Sequence, residues 1–570
     1  MNHKKSEGFM AFAAFLFSIL AIPAVAAAAP AGPAQKTVDD ALAKKIDAVM
    51  AEIYKPGEPG AAIIVRKDGK TIFRKGYGMA DMELGIPIEP DMVFRLGSIT
   101  KQFTAVSVLM LAEQGKLSLQ DEITKFLPHF PTQGRTILLE HLLTHTSGLK
   151  SYTNLSEWLP LWRKDMTVRE IIDLTKDKPM EFAPGERWNY NNTGYVLLGA
   201  VIEKVSGLTY EDYVNKNIFG PLGMKHSYYG NTERIIPRRI PGYQMDKGGF
   251  VNAPYLSMTQ PYSAGSLLSS VDDLAIWNDA VFSGKLIKKE WLDKALTPYP
   301  LKNGESTGYG YGWFIADYQG QRIIEHGGGI NGFSAYEMTL PEDRVFLAIL
   351  TNSAVDERDP EPRAVKIAGL ILGKPEPERK AVTLPEKDIE ALVGVYENAD
   401  GQARYITREG NKVFSQRAGG AKHEILAASP DEFFFADTPT RVRIVKNAEG
   451  TVTALRLQAR MGPAEILTKT AKPFPAEKKE IAVDPKILDL FVGEYELAPG
   501  FTIVIRNEGG RLVSEATGQP IVELFAESET TFFLKDVDAQ VEFIRDAEGR
   551  VTSLVLSQGG QKMNAPKKVR

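Results

Sequence analysis

The sequence predicts an α+β domain, an antiparallel sheet with a helical insertion, followed by two small all-β, barrel-like repeat domains. Three observations predict it. β-rich runs open and close the region up to residue 372, and helical patterns fill its middle. A stretch rich in proline and charge, "GKPEPERKAVTLPEKD", then breaks the composition. Beyond it a β-rich unit recurs: "GVYENADG" at Gly394 returns as "GEYELAPG" at Gly493, and "NAEGTVTAL" at Asn447 as "DAEGRVTSL" at Asp546.

The elements follow in order. Residues 1–28 have a positive start, a short apolar core and an Ala-x-Ala exit, the pattern of a secretory signal peptide. That implies a secreted or periplasmic chain with no stable membrane insertion once the leader is removed. The domain at 37–372 opens with "TVDDALAKKIDAVMAEIY", apolar at helical spacing. "GAAIIVRKDGKTIFRKGYG" then gives two strands joined at Asp68-Gly69, a hairpin signal. Residues 95 to 300 read as helix and loop, and "GYGYGWFIADYQGQRIIEHGGG" and "SAYEMTLPEDRVFLAILTNS" return to strands. A linker at 373–387, a β-rich module at 388–470, a second linker at 471–485 and a second module at 486–570 complete the chain. No ionisable cluster is shared by the two modules, so they read as accessory.

The 570 residues carry a net charge of −4 and no basic stripe, which argues against nucleic acid as a partner. There is no cysteine, which excludes disulfides, a thiolate nucleophile and Cys-based metal sites. His141 and His145 stand at the spacing of a helical metal pair, but the Glu of a zinc-protease motif is missing. They read as a helix end that bonds backbone before Gly148, and no metal or other cofactor is expected.

The chemistry concentrates in "RLGSITKQFTA", Arg95 to Ala105. Ser98 stands at the start of a helix that reads as buried, and Lys101 follows three residues later. Side chains three apart on a helix are neighbours. An ammonium facing an apolar interior has a lowered pKa, and a neutral lysine can take a proton from a serine hydroxyl. A second Ser-x-x-Lys, Ser147 to Lys150, lies where the chain turns and does not start a helix. Two further motifs follow: Tyr190 and Asn192 before a buried helical run, and His326 with three glycines after it at a strand end. Trp188, Tyr152 and Tyr309 are candidates for lining a pocket, or for ordinary packing.

In this order, Ser-x-x-Lys, Tyr-x-Asn and His-x-Gly, the chain resembles the penicillin-recognising serine hydrolases, which include penicillin-binding proteins and class C β-lactamases. "HLLTHTSGL", "WNYNNTGYVLLG" and "YSAGSLLSSVDDLAIW" strengthen the likeness, which spans about residues 40 to 370. The resemblance implies that Ser98 is acylated, that Lys101 is the base or proton relay beside it, and that Tyr190, its pKa lowered by Lys101, acts as a base and then protonates the leaving group. It implies substrate contacts from Asn192, His326 and Gly328, and an oxyanion hole from the Ser98 and Gly329 backbone N–H groups.

Where β-lactamases usually carry Lys-Thr-Gly, this chain has His326-Gly327-Gly328. A histidine is mostly neutral at pH 7, which weakens selection for anionic β-lactams. Esterases and D-amino-acid-specific peptidases of the family share His-x-Gly, and the D-aminopeptidases share the layout of one catalytic and two β domains. The expected function is therefore an exported hydrolase working through a Ser98 acyl-enzyme on small esters, amides or short peptides containing D-amino acids. The alternatives are a β-lactamase or D,D-carboxypeptidase, and a catalytically silent binding protein of the cell envelope.

Overall fold

The computed structural model describes residues 40–568, apart from 156, 247, 376–379, 400, 419, 436–439, 461, 476–478, 499–500, 518–520, 536–538 and 559–560. The leader at residues 1–28 lies outside the described residues. Among these residues no helix is long and apolar enough to cross a membrane.

Helix α1 (Asp40–Ala51) leads into strands β1 (Ala61–Lys67) and β2 (Lys70–Tyr77). Asp68 and Gly69 both have positive φ, 53° and 73°, the geometry that a two-residue hairpin of this type requires. The helical insertion includes α2 (Thr100–Glu113) and α3 (Asn192–Ser206). Strands β3 (Phe314–Tyr318), β4 (Gln321–Ile330), β5 (Phe333–Leu340) and β6 (Val345–Thr351) follow, and helix α4 (Pro360–Leu372) closes the domain. The sheet order is β3-β4-β5-β6-β1-β2, so the two ends of the domain meet where β6 pairs antiparallel with β1.

Both faces of this sheet are covered, which is why β1 reads as a continuous apolar run. Ile63 and Val65 pack with Ile46 and Met50 of α1 and with Val365 and Ile367 of α4. Ala62 and Ile64 point the other way, into the core built with the helical insertion. Helix α2 is buried on every side, and Lys101 and Gln102 are enclosed with the rest.

The first module is a closed barrel of eight antiparallel strands, sealed where Tyr396 pairs with Lys469. The second is an eight-stranded sheet whose first and last strands meet at a Tyr495–Lys567 bridge. Each opens with a short helix, Glu386–Leu392 and Pro485–Phe491, that sends Leu392 or Phe491 into the barrel core. The repeat extends to single hydrogen bonds: Tyr396 and Tyr495 each donate to the carbonyl four residues earlier, at 2.7 Å. It departs in the last hairpin. In the second module Gln558 pairs with Gln561, whereas in the first the strands Val452–Gln458 and Glu465–Lys469 are joined by a longer connection carrying Arg460 and Gly462.

Candidate active site

Ser98 lies in a 3-10 turn, Gly97–Ile99, that runs straight into α2. The turn is pressed backbone-to-backbone against β4. Gly97 has φ +53°, and a Cβ there would meet the Gly329 nitrogen at 3.0 Å. A Cβ on Gly328 would sit 1.9 Å from the Leu96 carbonyl oxygen and 3.2 Å from the Ser98 nitrogen. Glycine at both positions lets strand and turn close on each other. A Cβ on Gly329 would meet open space.

Lys101 is fully buried, and its Nζ lies 3.0 Å from Ser98 Oγ. It also donates to the Ala264 carbonyl at 2.9 Å. The rings of Tyr190 and Tyr195 stand 4.8 and 5.5 Å from Nζ. Among the described residues no carboxylate pairs with it. Burial therefore holds the ammonium well below the ordinary lysine range. A neutral amine at hydrogen-bond distance from a hydroxyl is a competent general base.

Tyr190 precedes α3, whose N-cap Asn191 accepts from the Gly194 N–H at 2.8 Å. The phenol corrects the sequence-based expectation. Burial pushes its pKa above the ordinary tyrosine value, and the Ser98 hydroxyl offsets only part of the rise. Tyr190 is thus protonated at rest, a proton donor rather than a phenolate base. Asn192 stands at the first position of α3, with its amide donating to Thr153 Oγ1 at 3.0 Å. His326 is buried on β4. Its Nδ1 lies 2.6 Å from the Gly327 carbonyl and its Nε2 3.1 Å from the Tyr309 hydroxyl. A carbonyl only accepts, so Nδ1 carries the proton and Nε2 accepts from Tyr309. Burial, then the Lys101 charge, lowers the His326 pKa to about 3. It is neutral throughout the working pH range and offers no fixed positive charge.

Of the aromatic candidates, Tyr309 and Trp188 stand in this wall, their rings 6.2 Å apart. Tyr152 is a packing residue whose hydroxyl donates to the Gln260 carbonyl. A Gly-x-Ser-x-Gly pentad, Gly304 to Gly308, places Ser306 exposed in a turn without a strand-to-helix elbow. His141 and His145 do not converge: His141 Nδ1 accepts from the Leu138 N–H, and His145 Nδ1 from the Asn191 N–H.

His145, expected from sequence to be a helix end, stands against the Tyr190 segment. Its carbonyl accepts from the Asn189 N–H at 3.0 Å, and its Nδ1 from the Asn191 N–H at 3.0 Å. The two bonds pin the backbone on either side of Tyr190, and the imidazole lies 4.3 Å from the Tyr190 ring. His145 holds this position with φ 59°, a region that asparagine tolerates well. Asparagine offers Oδ1 where histidine offers Nδ1, while glutamine carries its oxygen one bond too far. His145→Asn should keep acylation near the wild-type rate, and His145→Gln should slow it about tenfold, the worth of one positioning hydrogen bond. Stopped-flow acylation beside Tm checks this; equal rates in the two variants would remove the positioning role.

The first barrel reaches this wall. Arg460, nearly buried, pairs with Glu325 at 2.5 Å and with Glu361 of α4 at 3.0 Å. It also donates to the Tyr336 hydroxyl, which in turn bonds Glu325. Glu325 directly precedes His326. Gly462 follows, where a Cβ would meet Trp188 at 3.6 Å and Phe314 at 3.7 Å. A buried cation between two carboxylates holds only while all partners are present, so barrel and catalytic sheet are joined beside the site.

Comparisons with known proteins agree with this geometry. Residues 40–370 match the family described as beta-lactamase, and residues 477–566 match a domain of unknown function, DUF3471. The chain is 29% identical over 525 residues to penicillin-binding protein 4* of Bacillus subtilis, covering 88% of this chain and 94% of that protein. An octameric penicillin-binding protein homologue from Pyrococcus abyssi is 30% identical, with a TM-score of 0.54, over 75% of this chain and 99% of that one. The D-amino acid amidase from Ochrobactrum anthropi is 25% identical, with a TM-score of 0.51, over 58% of this chain and 99% of that one.

Proposed function

Because the chain belongs to the beta-lactamase family of serine hydrolases, we propose that it is an exported acyl-enzyme hydrolase of small esters, amides or peptides containing D-amino acids. The observation that carries this reading is the buried Lys101, free of any carboxylate partner among the described residues, at 3.0 Å from Ser98 Oγ. Lys101 takes the Ser98 proton as Oγ attacks the substrate carbonyl. The oxyanion that forms is held by the Ser98 and Gly329 backbone N–H groups. Tyr190, protonated and facing Ser98, gives its proton to the leaving amine or alkoxide, and Lys101 returns a proton to the phenol. Water then attacks the acyl-enzyme by the same relay in reverse, releasing the acid and restoring Ser98.

The uncharged His326 supports substrates without a carboxylate at that end of the cleft, and disfavours β-lactams and D,D-carboxypeptidase substrates. The likeness to a D-amino acid amidase supports the amide and D-configuration arms. The leader pattern at residues 1–28 supports export. A silent binding protein would have no need of a buried lysine beside a serine.

The test is intact-protein mass after incubation with a p-nitrophenyl ester, D-alanine p-nitroanilide and a fluorescent penicillin. The wild type should gain an adduct with the ester or show turnover of the anilide, and Ser98→Ala should do neither. No adduct and no turnover with any of the three would overturn the reading.

A further inference from the structure

Arg95, three residues before Ser98, has no use in the mechanism above. It ends a short strand, Phe94–Arg95, that pairs with Leu267–Ser269, and its side chain lines a cavity of about 390 Å³. The guanidinium lies over the Phe333 ring, 5.7 Å from its centre. Among the described residues it makes no hydrogen bond and no ion pair. Arg239 lines the same cavity, and its guanidinium's one hydrogen bond among the described residues goes to the Asn231 carbonyl, at 2.8 Å. Neighbouring arginines are satisfied otherwise: Arg238 pairs with Glu89 and Asp91, and Arg234 with Glu211. Glu83, near the rim, is bonded to the Asn252 amide and is not within ion-pair distance of either arginine.

Arg95 is partly buried and Arg239 is exposed at the same cavity, and a partly buried cation with no carboxylate beside it is costly. Burial and the Arg239 charge both work against the charged form of Arg95, with only Tyr255 favouring it. Such an arrangement persists where an anion is supplied from outside. The planar fork of arginine matches a carboxylate bidentately. The volume is that of an organic ligand rather than a bare ion. Phe333, Met258 and Leu268 give it an apolar floor.

We propose that this cavity is a binding site for a small organic carboxylate, of the size of an acylated amino acid, held between Arg95 and Arg239. The site is distinct from the lysine-for-histidine position on β4, where this chain has no charge to offer. It touches the two segments that matter: Arg95 stands on the segment leading into Ser98, and Phe333 directly follows the turn after β4. The carboxylate is either part of a substrate or a separate molecule, and the test separates the two.

Calorimetric titration of the full Ser98→Ala chain needs no catalysis, so its outcome is independent of the proposed activity. The probes are hippurate, the neutral hippuramide with the same body, and inorganic phosphate. Hippurate should bind saturably and at least about tenfold more tightly than hippuramide or phosphate. Arg239→Gln, an exposed position that leaves the fold intact, should weaken it by a similar factor, and Arg95→Gln should do the same where it folds. Equal binding of hippurate and hippuramide, phosphate binding as tight as hippurate, no saturable binding, or no change in Arg239→Gln would each overturn the proposal. With Ser98 restored, a raised KM for carboxylate-bearing esters alone in Arg239→Gln assigns the carboxylate to substrate. An unchanged KM with loss of hippurate binding assigns it to a separate ligand.

Discussion

Lys101→Met should abolish acylation of Ser98 and at the same time raise the melting temperature at pH 7. The first effect follows from geometry. Nζ is the basic group at 3.0 Å from Ser98 Oγ, and removing a positioned general base costs about 10²–10⁴-fold in rate. The second follows from burial. Lys101 is wholly enclosed, and its folded pKa lies well below the 10.5 of the unfolded chain. Between those two values the unfolded state binds more protons than the folded one, so stability rises with pH across that window. At pH 7 folding must strip or bury the proton, a penalty that methionine, similar in length and apolar, does not carry. The gain in Tm should be largest at neutral pH and below, and should shrink as pH approaches 10.5. Scanning calorimetry at pH 6, 8 and 10 measures it, beside burst amplitude with a p-nitrophenyl ester. A variant that still acylates at the wild-type rate would move the base elsewhere. A Tm that falls at every pH would show that the amine's bond to Ala264 outweighs its burial.

Gly328→Ala should cut acylation by at least about a hundredfold although it adds a single methyl group. That methyl would sit 1.9 Å from the Leu96 carbonyl and 3.2 Å from the Ser98 nitrogen, both backbone atoms with no rotamer to escape into. Either β4 or the Ser98 turn must move, and either movement separates the Ser98 and Gly329 N–H groups. Overpacking of this kind also costs about 1–3 kcal/mol of stability. Gly329→Ala is the control, because its methyl would meet open space and should leave Tm unchanged. Comparing burst rates and melting curves for the pair decides the matter. Equal acylation rates in Gly328→Ala and wild type would show that the strand is not pressed against the turn.

Part of this site was legible in the sequence because it is local. Ser98 and Lys101 are three residues apart on one helix, so their proximity follows from helical geometry alone. The apolar run in "VSVLMLAEQG" already implied that the lysine is buried. Asp68-Gly69 likewise named its own hairpin, since few other residues adopt positive φ twice in succession. The 99-residue repeat announced two copies of one β unit before any strand was seen. The direction of the Tyr190 pKa was not legible. It is set by how completely the phenol is enclosed, and that depends on His145, Tyr309 and Phe314, which arrive from two other segments. A proton shared along Ser98, Lys101 and Tyr190 was inferable from residue types, but which group holds it at rest was not.

His145 shows the same limit from another side. Its neighbours in sequence make it a helix end, and only the return of the chain at Asn189 and Asn191 turns it into a clamp on Tyr190. Arg460 lies 135 residues from Glu325, and the repeat pattern concealed it, because the second module carries no such loop. The sequence by itself determined the order of elements, the α+β domain with its two β modules, and the proximity of Ser98 and Lys101, since these rest on hydrophobic period, turn chemistry and contacts within one helical turn. The tertiary structure alone decided the protonation states, the clamp on Tyr190, the docking of the first barrel beside His326 and the placing of Arg95 and Arg239 on one cavity. Burial and long-range charge depend on every segment that packs around a group, and no stretch of sequence holds that information.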